Sequence, residues 1–337
     1  MSKRSALGVV EGYYVAQAVL ALHRGGVLKM LEAGRTAAQV AADADYDVEA
    51  ATAVLEFVYL NTDLLVRAGN REYRLAPKYG AYRALGFHLD KFLGAYGQPM
   101  ARLEDALRSP RQGRRLVDRK QLAEAFSRAQ PDGPGALVEI VRGTGARSLL
   151  DLGCGTAALL RQLCRGDAGF RGWGVEVDRE MCAVAVEQIR AAGLQRQLRI
   201  IRGDARELDR SFSAAQRKRV DALLGGSLLN ELCRGGGAPA VKFLTRLRRL
   251  FPGRPLLVLD YYGRLGSGRA RPRHRQTLLQ DLVQAVTGQG VPPADLAGWR
   301  ALYLRAGCEL VKAYEGEAAG IEWFLHVVEL RAEAQSQ

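Results

Sequence analysis

The apolar residues of this chain recur in two rhythms. From residue 143 onward, short apolar runs alternate with segments of helical spacing. The runs at 148–152, 172–176, 220–226 and 255–262 are nearly unbroken, as in parallel strands buried on both faces, and a further run at 198–204 is interrupted by Arg199 and Arg202. Helices are predicted to start at Gln276 and Pro293, and closing strands at 308–314 and 322–330, with Gly320-Ile321 in the turn. Before residue 80 the rhythm is helical. Residues 9–31 predict one or two apolar helices broken near Gly25-Gly26. Thr36-Ala37-Ala38-Gln39 has the spacing of a capping box, and Asp47 caps a helix with Val54, Leu55, Val58, Tyr59 and Leu60 on its apolar face. Residues 65–68 and 71–75 then alternate as a hairpin turned by Gly69-Asn70. Helix, helix, hairpin predicts a winged helix. The stretch 81–142 is helical, with breaks at Ser109-Pro110 and at 130–134. Three segments follow: a winged-helix domain at 1–80, connecting helices at 81–142, and an α/β domain at 143–332.

Length and composition bound the setting. A chain of 337 residues with 48% hydrophobic content can bury one large core or two ordinary ones. No unbroken apolar run is long enough for a membrane span, and no apolar signal core follows Lys3 and Arg4, so neither membrane nor secretion is expected. The five cysteines (Cys154, Cys164, Cys182, Cys233, Cys308) are widely spaced without a C-x-x-C pair. Free thiols in a reducing cytoplasm, and no metal site, are the expectation.

The net charge of +13 raises nucleic acid as a partner. Two basic clusters stand out: Arg108, Arg111, Arg114, Arg115, Arg119 and Lys120, and the acid-free group Arg264, Arg269, Arg271, Arg273 and Arg275. Both also read as solvated loops. The helix that would enter a DNA groove is expected to carry Glu49, Glu56 and Asp63 and no Lys or Arg, a face that phosphate would repel. Its apolar character suits packing against a second copy, so a homodimer is expected.

The chemistry concentrates at the ends of three apolar runs. Asp151 precedes the turn Gly153-Cys154-Gly155, which opens into a helical run, so Gly153-x-Gly155-x-x-Ala158 fits a dinucleotide fingerprint as well as other nucleotide-like cofactors. Glu176 closes the next run and Asp204-Ala205 the one after. All three acids would share the carboxyl edge of one sheet, where open α/β folds bind ligands. A pyrophosphate would be repelled by Asp151 and leaves Asp204 without a role.

On these residues the chain resembles the class I S-adenosylmethionine-dependent methyltransferases. The resemblance implies a Rossmann-like seven-stranded sheet with a reversed last strand and S-adenosyl-L-methionine as cofactor. It places Asp151, Gly153 and Gly155 at the methionine part, Glu176 at the ribose hydroxyls, and Asp204 and Ala205 at the adenine. A cofactor bearing an amino group and a ribose diol suits carboxylates. With the winged helix ahead of it, nearly the whole chain is similar to the two-domain small-molecule O-methyltransferases of secondary metabolism and their C-methyltransferase relatives. In those proteins the N-terminal domain dimerises and helps roof the partner's active site, and the connecting helices wall the substrate pocket.

The acceptor side departs from that family. Many of its members carry a histidine base after strand four, where this chain has Ser227-Leu228-Leu229-Asn230-Glu231-Leu232. Glu231 is the candidate base, with Asn230 orienting the acceptor, and Asn230-Glu231 lacks the imidazole that a metal-binding relative would use. Of the four histidines, His274 is the candidate for a base because it follows strand five. His23 is expected at the dimer layer, His88 with Phe87 and Tyr96 among the connecting helices, and His326 packed within the sheet. The expected reaction is methyl transfer to a small-molecule hydroxyl or activated carbon, with an anionic acceptor suggested by the arginines after strand five. The alternatives are an RNA methyltransferase using the basic surface and a regulator that binds cofactor and DNA. The motifs of base-modifying enzymes, an Asp/Asn-Pro-Pro-aromatic or a Pro-Cys pair, are missing after strand four.

Overall fold

The computed structural model describes residues 5–79, 82–128, 135–318 and 321–332. The break expected at 130–134 and Gly320 of the last turn lie outside these residues. The chain forms two compact units, the first ending at Gly97 and the second beginning at Gln98.

In the first unit, Ser5 caps a helix Ala6–Arg24, and Gly26 at φ +72° separates it from Val27–Met30. Thr36 and Gln39 close their capping box at the start of Ala37–Ala44, and Asp47 caps Val48–Asn61. The strands β1 (Leu65–Arg67) and β2 (Tyr73–Leu75) pair antiparallel, joined by a short 3-10 turn at Gly69–Arg71. Leu28, Leu31, Val40, Leu55 and Val58 are fully buried where these elements meet. His23 contacts Asp90 at 2.7 Å within this unit. By length and composition the first helix is apolar enough to cross a membrane, a test that core helices also pass, and Val19 and Leu22 of its second half pack into this core. Its other face leaves Leu7, Val9, Val10, Tyr13 and Tyr14 more than half exposed.

The second unit is built on seven strands: β3 (Ser148–Leu152), β4 (Arg171–Glu176), β5 (Leu198–Arg202), β6 (Ala222–Gly226), β7 (Pro255–Tyr261), β8 (Glu309–Ala318) and β9 (Ile321–Glu329). They lie in the order β5-β4-β3-β6-β7-β9-β8. The first five in that order run parallel, and β9 is antiparallel to both of its neighbours. Successive residues of a strand face opposite sides, and the paired leucines show the result. Leu150, Leu223 and Leu256 belong to one apolar layer, while Leu149, Leu224 and Leu257 belong to the other. Helices cover both layers, which explains why the inner strands read as unbroken apolar runs rather than alternating ones, while β5 at the sheet edge keeps Arg199 and Arg202 exposed. The final strands differ only modestly from the expected bounds, and Ile321, expected in a turn, already belongs to β9.

Strand order reverses at β3, whose neighbours β4 and β6 carry the chain to opposite sides. Ligands bind outside the carboxyl ends of the strands at such a point. The turn after β3 is seated by packing beneath it. Gly174 of β4 lies opposite Asp151, and a Cβ there would approach the Cys154 sulfur to 2.4 Å. The absent side chain gives Cys154 its place.

Candidate active site

The loop after β3 needs glycine for its conformation rather than for space. Gly153 and Gly155 have φ of +74° and +53°, and a Cβ on Gly155 would meet nothing within 4 Å. Ala157, also left-handed at φ +57°, carries the chain into the helix Ala158–Gly166. Gly153 N–H donates to the Val175 carbonyl at 2.8 Å, tying the turn to β4. Glu176 completes the tie. Its Oε2 accepts from Gly155 N–H at 3.0 Å and its Oε1 from Asp178 N–H at 2.9 Å, so one carboxylate fixes the glycine turn and the start of the next loop. Each oxygen keeps a lone pair for a hydroxyl.

Asp151 is in a different state. Its side chain is nearly buried, it accepts no hydrogen bond from the described residues, and Glu176 is its charged neighbour. Burial first, and Glu176 second, push its carboxyl up to about 7. A buried carboxylate lacking a donor fits a ligand that brings an ammonium group, and the open glycine turn leaves backbone beside it uncovered. The residues therefore fit S-adenosylmethionine: Asp151 would hold the amino group, Glu176 the ribose hydroxyls, and Gly153 and Gly155 the close approach. Asp204 is already engaged, since Arg206 donates to it from its backbone N–H at 2.8 Å and from its guanidinium. That guanidinium holds the Asp204 carboxyl below its usual range. Asp204 caps the 3-10 turn Ala205–Glu207, leaving Ala205 buried beside it.

Past β6, Ser227 at φ +50° turns the chain into the 3-10 helix Leu229–Leu232. Glu231 is closely surrounded by protein yet keeps 35% of its side-chain surface exposed. Burial raises its carboxyl, opposed by Arg114 and Arg119, while Glu176 raises it further. Arg114 approaches Glu231 at 3.4 Å and also acts on Asp204. The structure thus brings Asp151, Glu176, Asp204 and Glu231 into one electrostatic neighbourhood. Asn230 N–H and Tyr261 N–H donate to the two oxygens of Asp260 at 3.0 Å each, and burial pushes Asp260 up to about 8.

Two residues here were missed in the sequence. Asp260 sits near the end of the apolar run of β7, the same signal that marked the other acids. Arg114 lies in a basic cluster that reads as solvated, and only the folded chain shows it and Arg119 beside Glu231.

His274 is not brought to this neighbourhood. Its Nδ1 accepts from Arg271 N–H at 3.0 Å and its Nε2 lies 3.2 Å from Glu322, which leaves the ring neutral with its proton toward the carboxylate. Burial, Arg264 and Arg273 lower its pKa. It lines a separate cavity of about 680 Å³ with Arg264, Arg269, Arg271 and Arg273. The arginine group that is acid-free in sequence is not acid-free in space. Glu322 pairs with Arg264 and Arg273, Asp295 pairs with Arg269, and Glu315 shares the cavity. His326 is fully buried, stacked on Phe324 and bonded to Tyr303 at 3.0 Å.

Glu176→Ala is expected to weaken S-adenosylmethionine binding by about 1.5–3 kcal/mol, the worth of hydrogen bonds to a charged group. Unchanged affinity by calorimetry would remove Glu176 from the site. Asp151 gives a pH signature. Its carboxyl is raised in the folded chain, so it favours folding at low pH and opposes it as pH rises from the ordinary carboxylate range toward about 7. The ligand-free Asp151→Asn protein should lose less stability than wild type between pH 4.5 and 7. Urea titrations with parallel pH slopes in the two proteins would contradict this.

Comparison with known proteins bears on the same residues. Residues 149–230 match the family model described as a methyltransferase domain. Among solved structures, the chain is similar to a mitomycin 7-O-methyltransferase, at 17% identity and a TM-score of 0.70, with 96% of each chain covered. It is similar to an O-methyltransferase from neocarzinostatin biosynthesis, solved with S-adenosylmethionine and a naphthoic acid, at 17% identity and a TM-score of 0.70, covering 98% of this chain and 100% of the other. An O-methyltransferase family protein from Burkholderia thailandensis aligns at 19% identity with a TM-score of 0.67, covering 99% and 100%. With its glycine turn and strand-end acids inside the matched segment, the chain carries a class I S-adenosylmethionine-dependent methyltransferase domain, in a fold shared over nearly its full length with two-domain O-methyltransferases.

Proposed function

We propose that this chain transfers the methyl group of S-adenosylmethionine to a small-molecule acceptor of secondary metabolism, at a hydroxyl or an activated carbon, with Glu231 as the base. The observation that carries this reading is Glu231 itself: a partly exposed carboxylate, raised by burial, with the cofactor acid Glu176 as a charged neighbour. When bound, the cofactor supplies a methyl already activated by the sulfonium. What remains for the protein is to align a nucleophile and take its proton. Asp151, Glu176 and the glycine turn anchor the cofactor, and Asn230 and Glu231 face the reacting group. The structurally similar proteins from mitomycin and neocarzinostatin biosynthesis support a natural-product acceptor. Acids from distant parts of the chain offset much of the positive charge after β7, which weakens both the anionic acceptor and the RNA reading. The five cysteines are all free and buried, in keeping with a reducing, cytoplasmic setting.

A metabolite screen with methyl-labelled cofactor should identify a labelled small molecule, and label appearing only in RNA would replace this reading. With the acceptor in hand, Glu231→Gln should lower kcat by about 10²–10⁴-fold and leave cofactor affinity unchanged. The wild-type rate should rise with pH through a value above the ordinary carboxylate range, as Glu231 loses its proton. A variant with wild-type kcat would show that Glu231 is not the base.

We also infer a homodimer formed through the exposed apolar face of the first helix, whose Leu7, Val9, Val10, Tyr13 and Tyr14 are too many to leave in water. Light scattering should give twice the chain mass at micromolar concentration. A fully active monomer would refute the dimer.

A further inference from the structure

The carboxyl edge of the sheet gathers acids, and its amino edge gathers the opposite charge. Where β4 and β5 begin, a hollow of about 140 Å³ is lined by Arg171, Arg196, Arg199 and Arg219, and no acidic residue lines it. Strand register explains the gathering. Arg199 of β5 pairs with Trp173 of β4, so the two side chains share a face of the sheet, and Arg171 stands two residues before Trp173 on that face. Arg219 arrives from just ahead of β6, with its guanidinium 5.8 Å from the centre of the Trp173 ring. Arg196 comes from the loop that leads into β5.

The arginines after β7 meet acids from distant parts of the chain, and these do not. All four are exposed, and none is ion-paired with a carboxylate among the described residues. Asp167 and Asp221, the acids closest in sequence to Arg171 and Arg219, are turned to backbone. Asp167 accepts from Gly169 N–H at 2.7 Å and Asp221 from Arg147 N–H at 3.0 Å. The lining is also held in place. Arg171 Nη1 donates to the Ala168 and Phe170 carbonyls at 3.0 Å each, and Gln197 staples the same loop by donating to the Asp167 carbonyl at 2.9 Å. Gln216, a further lining residue, accepts at Oε1 from Ser213 N–H at 2.8 Å, so its NH2 is the end left to donate.

Cations held around one hollow without counter-charge repel one another, and an anion that enters relieves the repulsion. Guanidinium forks match phosphate oxygens, and several of them favour a group carrying more than one negative charge. A nucleic-acid backbone calls for a stripe of cations along its track, whereas these four line one small hollow. We propose that the amino edge of the sheet carries a second binding site, which takes a small molecule by its phosphate or diphosphate group. Arg171 and Glu176 are the first and last residues of β4, which puts the site roughly 16 Å from the cofactor acids at about 3.3 Å per residue. The site stands apart from methyl transfer, and its test does not depend on the acceptor.

Calorimetry with inorganic pyrophosphate on the full chain at low salt should show one site per chain, with weaker binding of inorganic phosphate. Arg196→Ala/Arg199→Ala should weaken pyrophosphate binding at least tenfold and leave the Kd for S-adenosylmethionine within twofold. Neither residue gives the fold a hydrogen bond or ion pair among the described residues, so the variant should keep the wild-type Tm. Arg269→Ala/Arg271→Ala, in the cavity after β7, should bind pyrophosphate as wild type does. Absence of pyrophosphate binding at millimolar concentration would overturn the proposal. So would binding that survives in Arg196→Ala/Arg199→Ala or is lost in Arg269→Ala/Arg271→Ala. A single-stranded RNA that binds more tightly than pyrophosphate and displaces it would replace the small-molecule site with an RNA contact.

Discussion

Burial of negative charge at one sheet edge governs this molecule. Asp151, Glu176, Glu231 and Asp260 crowd around the carboxyl ends of β3, β4, β6 and β7, and burial raises three of them. An interior that removes water from carboxylates must supply donors or let them take protons. The protein does both, unevenly. Glu176 and Asp260 each receive two backbone N–H groups, whereas Asp151 receives none. The unevenness is informative, because a ligand with an ammonium group and a diol would complete what the protein leaves incomplete. Cofactor binding and relief of buried charge are then the same event.

Those acids are held by backbone more than by side chains. Glu176 reaches the glycine turn because β4 is in register with β3, and the turn keeps its left-handed residues because Cys154 is seated over Gly174. On the acceptor side the same economy appears. Asn230 and Glu231 follow a left-handed Ser227, and a left-handed Gly290 is pressed onto Arg234 just past them. Side chains on such tightly fixed turns need little further ordering to bind, which favours accurate placement of a reacting group.

The arginines show why net charge is a poor guide to partners. A run such as Arg264 to Arg275 looks like a concentrated positive field when only its own neighbours are counted. The hairpin of β8 and β9 carries Glu315 and Glu322 back to it, and Asp295 comes from the following loop. The earlier basic cluster resolves otherwise, with Arg114 and Arg119 acting on Glu231. Identical residues in similar local sequence thus acquire different roles from partners far away in the chain.

What the sequence determined by itself was everything set by local periodicity and by one residue's position relative to its strand. The capping box at Thr36, the helix start at Asp47, the parallel strands and the acids Asp151, Glu176 and Asp204 are all of this kind. Strands buried on both faces announce themselves as apolar runs, and an acid at the end of such a run stands out against them. Asp260 carried the same mark and was legible. The tertiary structure alone decided which charges pair, which acids lack donors, and which distant loop meets the candidate base. His274 was drawn away to Glu322, Asp204 was occupied by Arg206, and Gly290 was pressed onto Arg234, just past Glu231, by packing between loops more than fifty positions apart in sequence. Pairing and burial depend on approach through space, and local sequence does not encode approach.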